Sequence, residues 1–211
     1  MPVLGRNAEQ TGERRAAVEA RVVSATAELL AEGQPYADIS VERIASRAGI
    51  SRTAFYAYFR DKRELLMKLV GAAIEPIMTE ADELVGGRPS GPTEIPYTIR
   101  AAMAFARGNR DVFRATAEAA VYDPVIGAFW REQVLGRFVD AIERRIVAQQ
   151  ERGQALPLDP RAAAIALVTM VVETLYRHVG DDEGCSDETM VETLVAIAVR
   201  AVYGPVDGES G

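Results

Sequence analysis

The sequence predicts an all-α protein of about nine helices, and three observations lead to this fold class. Apolar residues recur every three or four positions through most of the 211 residues, which is the spacing of one helix face. No segment shows the strict apolar–polar alternation of a strand. Residues typical of helix starts and ends, namely Ser, Asp, Pro and Gly, separate the periodic segments.

The N-terminal part is predicted to form three helices. The first covers residues 14–32 and has one apolar face, made of Val18, Val22, Ala25, Leu29 and Leu30. Ser40 can cap a short second helix that stops at Gly49, and Ser51 can cap a third that runs to Phe59. Two short helices joined by a glycine-containing turn are typical of a helix-turn-helix, whose second helix fits the major groove of DNA.

A long fourth helix is predicted from Lys62 to about Val85, with Asp61 as its cap. Pro76 inside it has no N–H to donate and clashes with the preceding turn, so we expect a kink there. The residues that follow, 86–96, are rich in Gly and Pro and predict a loop. Five further helices are expected, near residues 94–107, 111–122, 124–152, 160–179 and 187–203.

The net charge of −7 is unevenly distributed along the chain. Residues 43–68 hold seven Arg and Lys against two Asp and Glu, whereas residues 69–211 hold 13 against 22. A basic patch around the short helix pair indicates a local contact with nucleic acid, even though the whole chain is acidic.

The segment ISVERIASRAGISRTAFYAYFRDKRELL, residues 39–66, resembles the DNA-binding segment of the TetR (tetracycline-repressor) family. The similarity lies in the small-Gly-aliphatic-Ser turn, the aromatic YxYF end and the lysine that follows. It is strong over residues 20–68 and is greatest with the branch of mycobacterial regulators of ethionamide activation, where ADIS and AGISR occur in register. Beyond residue 68 the resemblance rests on the order and length of the helices.

The resemblance implies a set of residues that contact DNA: Ser40, Ser51, Arg52, Thr53, Tyr56, Tyr58 and Lys62. Arg52 and Thr53 fall at the start of the recognition helix, where base edges are read, and Arg can pair with guanine O6 and N7. The hydroxyl groups and the Lys62 amino group suit phosphates.

The roles of several side chains near this surface can be interpreted in two ways. Phe55 and Phe59, four residues apart, are predicted to be core residues. Arg43 and Arg47 could contact phosphates or only form a solvated helix face, and Tyr58 could be half-buried. Glu42 leaves the contacts of the second helix open, because a carboxylate there either repels phosphate or accepts a hydrogen bond from cytosine.

The last two helices are predicted to form a homodimer, because their sequences are apolar over more than one stripe, although complete burial in one domain would give the same pattern. The resemblance also implies a ligand cavity between the helices of the larger domain. Its candidate residues are Tyr97, Met103, Trp130, Phe138, Met170, Val171 and Tyr176. We expect a small, hydrophobic, uncharged effector; Glu173 is expected to pair with Arg177 rather than to meet the ligand.

Other chemistry finds little support in the sequence. No catalytic motif, cofactor motif or metal-ligand pattern is found, so we expect no enzyme activity, no cofactor and no metal. The sole histidine, His178, is expected on the surface at a helix end, and acidic neighbours argue against a redox role for Cys185. One cysteine and the lack of an apolar leader or of a membrane-length apolar run indicate a cytoplasmic protein without a membrane partner.

Together these features predict a ligand-responsive repressor that binds a palindromic operator on double-stranded DNA as a dimer. Residues 14–60 would form the DNA-binding domain, residues 61–86 a connecting helix, and residues 87–204 the ligand-binding and dimerisation domain. The alternative is a helical adaptor that binds no DNA, and residues 40–62 discriminate, because an adaptor has no need of a basic, capped pair of short helices.

Overall fold

A computed structural model describes the backbone of residues 3–86, 91–181 and 184–205, and the side chains of residues 12–79, 91–180 and 184–205. Over these ranges the chain is helical and contains no strand, so the predicted all-α class is confirmed.

Four helices make up the N-terminal part: α1 Val3–Ala31, α2 Val41–Arg47, α3 Arg52–Tyr58 and α4 Lys62–Gly86. A single turn of 3-10 helix, Tyr36–Asp38, precedes α2. The predicted start of α1 at residue 14 is wrong, because the helix begins at Val3. Residues 6–15 are mostly good helix formers, but they lack the apolar spacing on which the sequence prediction relied.

The C-terminal part starts with a 3-10 turn, Gly91–Glu94, and continues with helices that match the predicted ones to within two residues at each end. They are α5 Ile95–Gly108; α6 Arg110–Tyr122; α7, which consists of Pro124–Phe129, a π-helical turn Trp130–Leu135 and Gly136–Glu151; α8 Pro160–Asp181; and α9 Asp187–Tyr203. Pro76 lies inside the continuous helix α4, and the kink there stays a prediction.

Side-chain caps explain why the short helices begin where they do. The Ser40 hydroxyl accepts a hydrogen bond from the backbone N–H of Arg43 at 3.2 Å, and the Ser51 hydroxyl accepts one from Ala54 at 3.0 Å. Such bonds satisfy N–H groups that have no partner within a helix. Asn109 is different, since its side chain makes no capping bond to α6.

The largest core cluster lies beneath the helix-turn-helix and extends beyond it. Phe55 and Phe59 are fully buried, as predicted, with stacked rings whose centroids are 5.4 Å apart. The same cluster includes Val112 of α6 and Ile126 of α7, and α6 contacts both α1 and α4. The DNA-binding helices therefore share one core with part of the larger domain.

Helix α8 is unusually apolar for its degree of burial. Residues 160–180 are long and apolar enough to cross a membrane by length and composition alone, yet only 28% of the apolar window is buried in the described structure. Core helices of soluble proteins, which are mostly buried, pass the same test. Ile165 on α8 and Ile197 on α9 are 48% and 46% exposed, so both helices retain an uncovered apolar surface.

Candidate DNA-binding surface and ligand cavity

The start of α3 presents polar side chains to solvent. Ser51, Arg52 and Thr53 are exposed, and Tyr56, one turn later, is 48% exposed. The Arg52 guanidinium lies 6.0 Å from the centroid of the Tyr56 ring and forms an ion pair with Glu42 of α2. Glu42 thus orients Arg52 across the gap between α2 and α3, a role that the sequence did not reveal.

Tyr58 faces the opposite way from Tyr56. Its ring is half-buried against the core, and the Arg15 guanidinium of α1 lies 5.6 Å from the ring centroid. Arg15 also donates to the carbonyl oxygens of Ala57 and Tyr58, each at 3.3 Å. The half-buried alternative for Tyr58 is therefore the one that the structure shows, and α1 holds the end of α3 in place.

Arg43 and Arg47 of α2 are engaged by acidic side chains of α1. Arg47 binds Glu32 at 2.5 Å and Glu28 at 3.4 Å, and Arg43 binds Glu32 at 2.6 Å. The hydrogen bond from Arg47 is the largest cause that lowers the pKa of the Glu32 carboxyl. Both guanidinium groups thus lie against α1, as on a solvated helix face, and because exposed ion pairs are weak their contact with phosphates stays a prediction.

The Lys62 side chain makes hydrogen bonds within the DNA-binding domain, whereas the resemblance implied that it contacts a phosphate. Its amino group donates to the carbonyl oxygens of Tyr36 at 2.7 Å and Ala37 at 3.0 Å, while the Tyr36 hydroxyl donates to the Lys62 carbonyl at 2.6 Å. Burial lowers the pKa of Lys62. Because these bonds tie α4 to the turn before α2, replacing Lys62 would disturb the DNA-binding domain as well as any phosphate contact.

A cavity of about 420 Å³ lies among α4, α5, α6, α7, α8 and α9, within the usual size range of small-molecule sites. Five of the predicted ligand residues line it, namely Tyr97, Trp130, Phe138, Val171 and Tyr176. Met103 and Met170 do not: they pack with the core formed by α5, α8 and α9. Their placement at the cavity is corrected: the core cluster that holds them also contributes Ile99 and Val171 to the cavity wall, but the two Met side chains do not reach it.

Most of the cavity wall is apolar, and α7 contributes a wide part of it. The π-helical turn brings Trp130, Val134 and Leu135 to the wall. Wider π-helical turns occur frequently at functional sites, where they redirect side chains. The sequence analysis missed this turn, since nothing in the apolar spacing distinguishes it from the surrounding α-helix.

An ion pair connects the two parts of the molecule. Arg63, in the first turn of α4, donates to the Asp123 carboxylate at 2.6 Å, and Asp123 also caps α7 by accepting from the N–H of Val125 at 3.0 Å. The first residues of the helix that follows the DNA-reading pair are thereby joined to the helix that carries the cavity wall. Sequence reasoning assigned no partner to Arg63, because the two residues are 60 positions apart.

His178 is not at the surface, so that expectation was wrong. Its side chain is 1% exposed, and its Nε2 lies 2.8 Å from a carboxylate oxygen of Asp187, at the start of α9. Arg107 binds the same carboxylate, with its shorter contact at 2.5 Å. Cys185 is exposed, with its sulfur 3.9 Å from His178 Nδ1. No group of metal-binding side chains occurs among the described residues.

Asp187 predicts a specific pH dependence of stability. The hydrogen bonds from Arg107 and then from His178 lower the pKa of Asp187 from 3.8 to about 2. A carboxyl whose pKa is lower in the folded state stabilises the fold above its unfolded value, and this contribution is lost as the pH falls to the folded value. We therefore expect Asp187→Asn to lower the melting temperature near neutral pH. The difference from the wild type should shrink between about pH 4 and pH 2, as followed by circular dichroism; a constant difference would contradict this assignment.

Comparison with known families agrees with the geometry of both regions. Residues 22–69 match the model of the TetR family of bacterial regulatory proteins, and residues 95–204 match the C-terminal domain of the transcriptional regulator EthR. The chain belongs to the TetR family. It is accordingly a helix-turn-helix transcriptional regulator, and ligand-responsive repression is the general function of this family.

Relatives and solved structures cover most of the chain. The HTH-type transcriptional regulator EthR of Mycolicibacterium smegmatis is 31% identical over 202 residues, 94% of this chain and 91% of the relative. EthR of Mycobacterium tuberculosis is 28% identical over 190 residues, 86% of each chain. Among solved structures, FadR of Bacillus subtilis in complex with stearoyl-CoA has a TM-score of 0.74 at 17% identity, covering 86% of this chain and 98% of that one. NalD of Pseudomonas aeruginosa has a TM-score of 0.69 at 18% identity, covering 90% and 98%.

Proposed function

We propose that this regulator binds a palindromic operator as a homodimer and leaves it when a mostly apolar effector fills the cavity. The observation that carries the proposal is the exposed start of α3, where Arg52, Thr53 and Tyr56 stand together on a helix capped by Ser51. The N-terminal residues of a recognition helix are those that meet base edges in the major groove. Ser40, exposed at the cap of α2, is positioned to reach a phosphate beside it.

The uncovered stripes of α8 and α9 support the homodimer. On α8 the exposed stripe consists of Ala162, Ile165, Ala166 and Thr169. The two helices pack mainly on α7 and α5 rather than on each other, so their outer faces are left for another surface. Two such pairs related by a twofold axis would bury each other's apolar residues, as in many symmetric dimers.

The cavity supports an apolar effector. Helix α4 contributes Ile74 and Ile77 to its wall, on either side of Pro76, so a ligand there would contact the helix that begins at the DNA-binding domain. The fold neighbour FadR was solved with stearoyl-CoA, which supports an apolar chain as the kind of molecule that this architecture accommodates. We infer a binding function and no catalytic one, in the cytoplasm.

The DNA proposal is tested by comparing Arg52→Ala with Arg47→Ala. Binding to the upstream region of the regulator's own gene and to single-base variants of the footprinted site would be measured by fluorescence anisotropy. Loss of a bidentate arginine–guanine contact should cost about 1–3 kcal/mol and remove discrimination at one base pair per half-site. Arg47→Ala, whose guanidinium is held by α1, should retain that discrimination. Equal behaviour of the two variants at every base pair would contradict the assignment.

A further inference from the structure

The charged side chains that line the cavity are all cationic. Within the part of the chain that the structure describes, Arg110, Arg114 and Arg145 line it and no Asp or Glu does. Arg145 is neutralised by Glu94, in a pair whose side chains are only 15% and 19% exposed. The other two arginines both lie on α6, and of these only Arg110 has no carboxylate partner among the described residues.

Arg110 and Arg114 have weak partners. Arg110 donates to the carbonyl oxygen of Gly180 at 3.0 Å, and no carboxylate side chain of the described residues lies within ion-pair distance of it. Arg114 reaches Asp111 at 3.3 Å and Glu118 at 3.6 Å, both on its own helix. Such contacts along one exposed helix face hold a guanidinium only weakly, so both groups are available to a ligand.

The two arginines lie close together at the start of the helix. Arg110 opens α6 and Arg114 follows four residues later, on the same face. The start of a helix carries partial positive charge, and like charges four residues apart repel each other. An anion bound between the two guanidinium groups would be attracted by both of them and by the helix start, at the cost of the weak contacts of Arg114 with Asp111 and Glu118.

The wall beyond these arginines is suited to a hydrocarbon chain. Phe113 lies between the two arginines in sequence, and the lining continues through Phe105, Phe138 and Leu167. We propose that the effector is an amphiphile whose apolar chain fills the cavity and whose anionic head group binds Arg110 and Arg114. This deepens the proposed effector site, on which it rests, and replaces the uncharged effector that the sequence indicated.

Four probes with the same chain distinguish the head groups: dodecanoate, dodecyl phosphate, 1-dodecanol and dodecyltrimethylammonium, each below its micelle concentration. Binding to the full-length protein would be measured by calorimetry and release of operator by anisotropy. We expect at least one anionic probe to bind about tenfold or more tightly than the alcohol, since hydrogen bonds to charged groups are the stronger ones. The tighter anion then identifies the head group as carboxylate or phosphate.

The double variant Arg110→Met and Arg114→Met should bind the anionic probes no more tightly than the alcohol, and should bind the alcohol as the wild type does. Retained alcohol binding shows that the variant is folded. Arg144→Met, which removes an exposed arginine outside the cavity, is the matched control and should change neither the affinity for the anionic probes nor that for the alcohol. Equal wild-type affinity for the alcohol and both anions, or undiminished anion binding by the double variant, would overturn the head-group proposal alone. Failure of all four probes to bind would overturn the apolar effector site with it.

Discussion

The double variant Ile165→Glu and Ile197→Glu is expected to be monomeric at micromolar concentration and to lose operator binding. Both side chains are about half exposed in the isolated chain, and they lie on the two helices with uncovered apolar stripes. A carboxylate within the proposed apolar interface would be desolvated without a cationic partner to offset the cost, in both protomers of a symmetric dimer. The folded chain itself should be little affected, because these positions face outward.

The loss of affinity should be large, because a dimer binds two half-sites through one molecule. Without the link between two recognition helices, binding to a full operator should weaken on the order of 100-fold or more. Analytical ultracentrifugation and operator titrations would be made on the same samples. Val121→Glu, at a residue of α6 that is 75% exposed, is the matched control and should remain dimeric. A wild-type protein that sediments as a monomer would contradict the homodimer. A double variant that stays dimeric would show that α8 and α9 do not form the interface.

Local signals made the DNA-binding region predictable from the sequence. Ser40 and Ser51 act within three residues of their own position, and the four-residue spacing of Phe55 and Phe59 directly gives a buried face. Such features depend on the chain only over one or two helical turns. The positions of the helices and the buried residues between them could therefore be derived without knowledge of the tertiary structure.

Tertiary contacts explain the features of the site that the sequence did not predict. The Glu42–Arg52 pair joins residues on either side of a turn, and the Arg63–Asp123 pair joins residues that are separated by most of α4 and by α5 and α6. Ile99, one turn before Met103, belongs both to the core cluster and to the cavity wall, so periodicity could not decide that Met103 lies only in the core. His178 was expected on the surface because it lies near a helix end, whereas its contact with Asp187 of the next helix is a tertiary one.

Phe55→Ala is expected to cost about 3–5 kcal/mol of unfolding free energy, as for other fully buried aromatic residues. Domains are commonly stable by only about 5–15 kcal/mol, so this is a large fraction of the total. The cluster that contains Phe55 also includes Val112 of α6 and Ile126 of α7. The destabilisation should therefore extend beyond the helix-turn-helix. The urea midpoint reported by a probe in α3 and the midpoint reported by Trp130 fluorescence should fall by the same amount.

Tyr56→Ala provides the matched control at the adjacent position. The Tyr56 ring is 48% exposed and meets the Phe55 ring edge-on, with the centroids 5.4 Å apart. Its removal should change stability by less than about 1 kcal/mol, as for a surface substitution, while weakening operator binding, because Tyr56 lies beside Arg52 on the proposed DNA-reading face. The two neighbouring variants thus separate folding from recognition. An unfolding curve in which Trp130 reports no shift for Phe55→Ala would show that the helix-turn-helix unfolds independently of the cavity domain, contrary to the shared core.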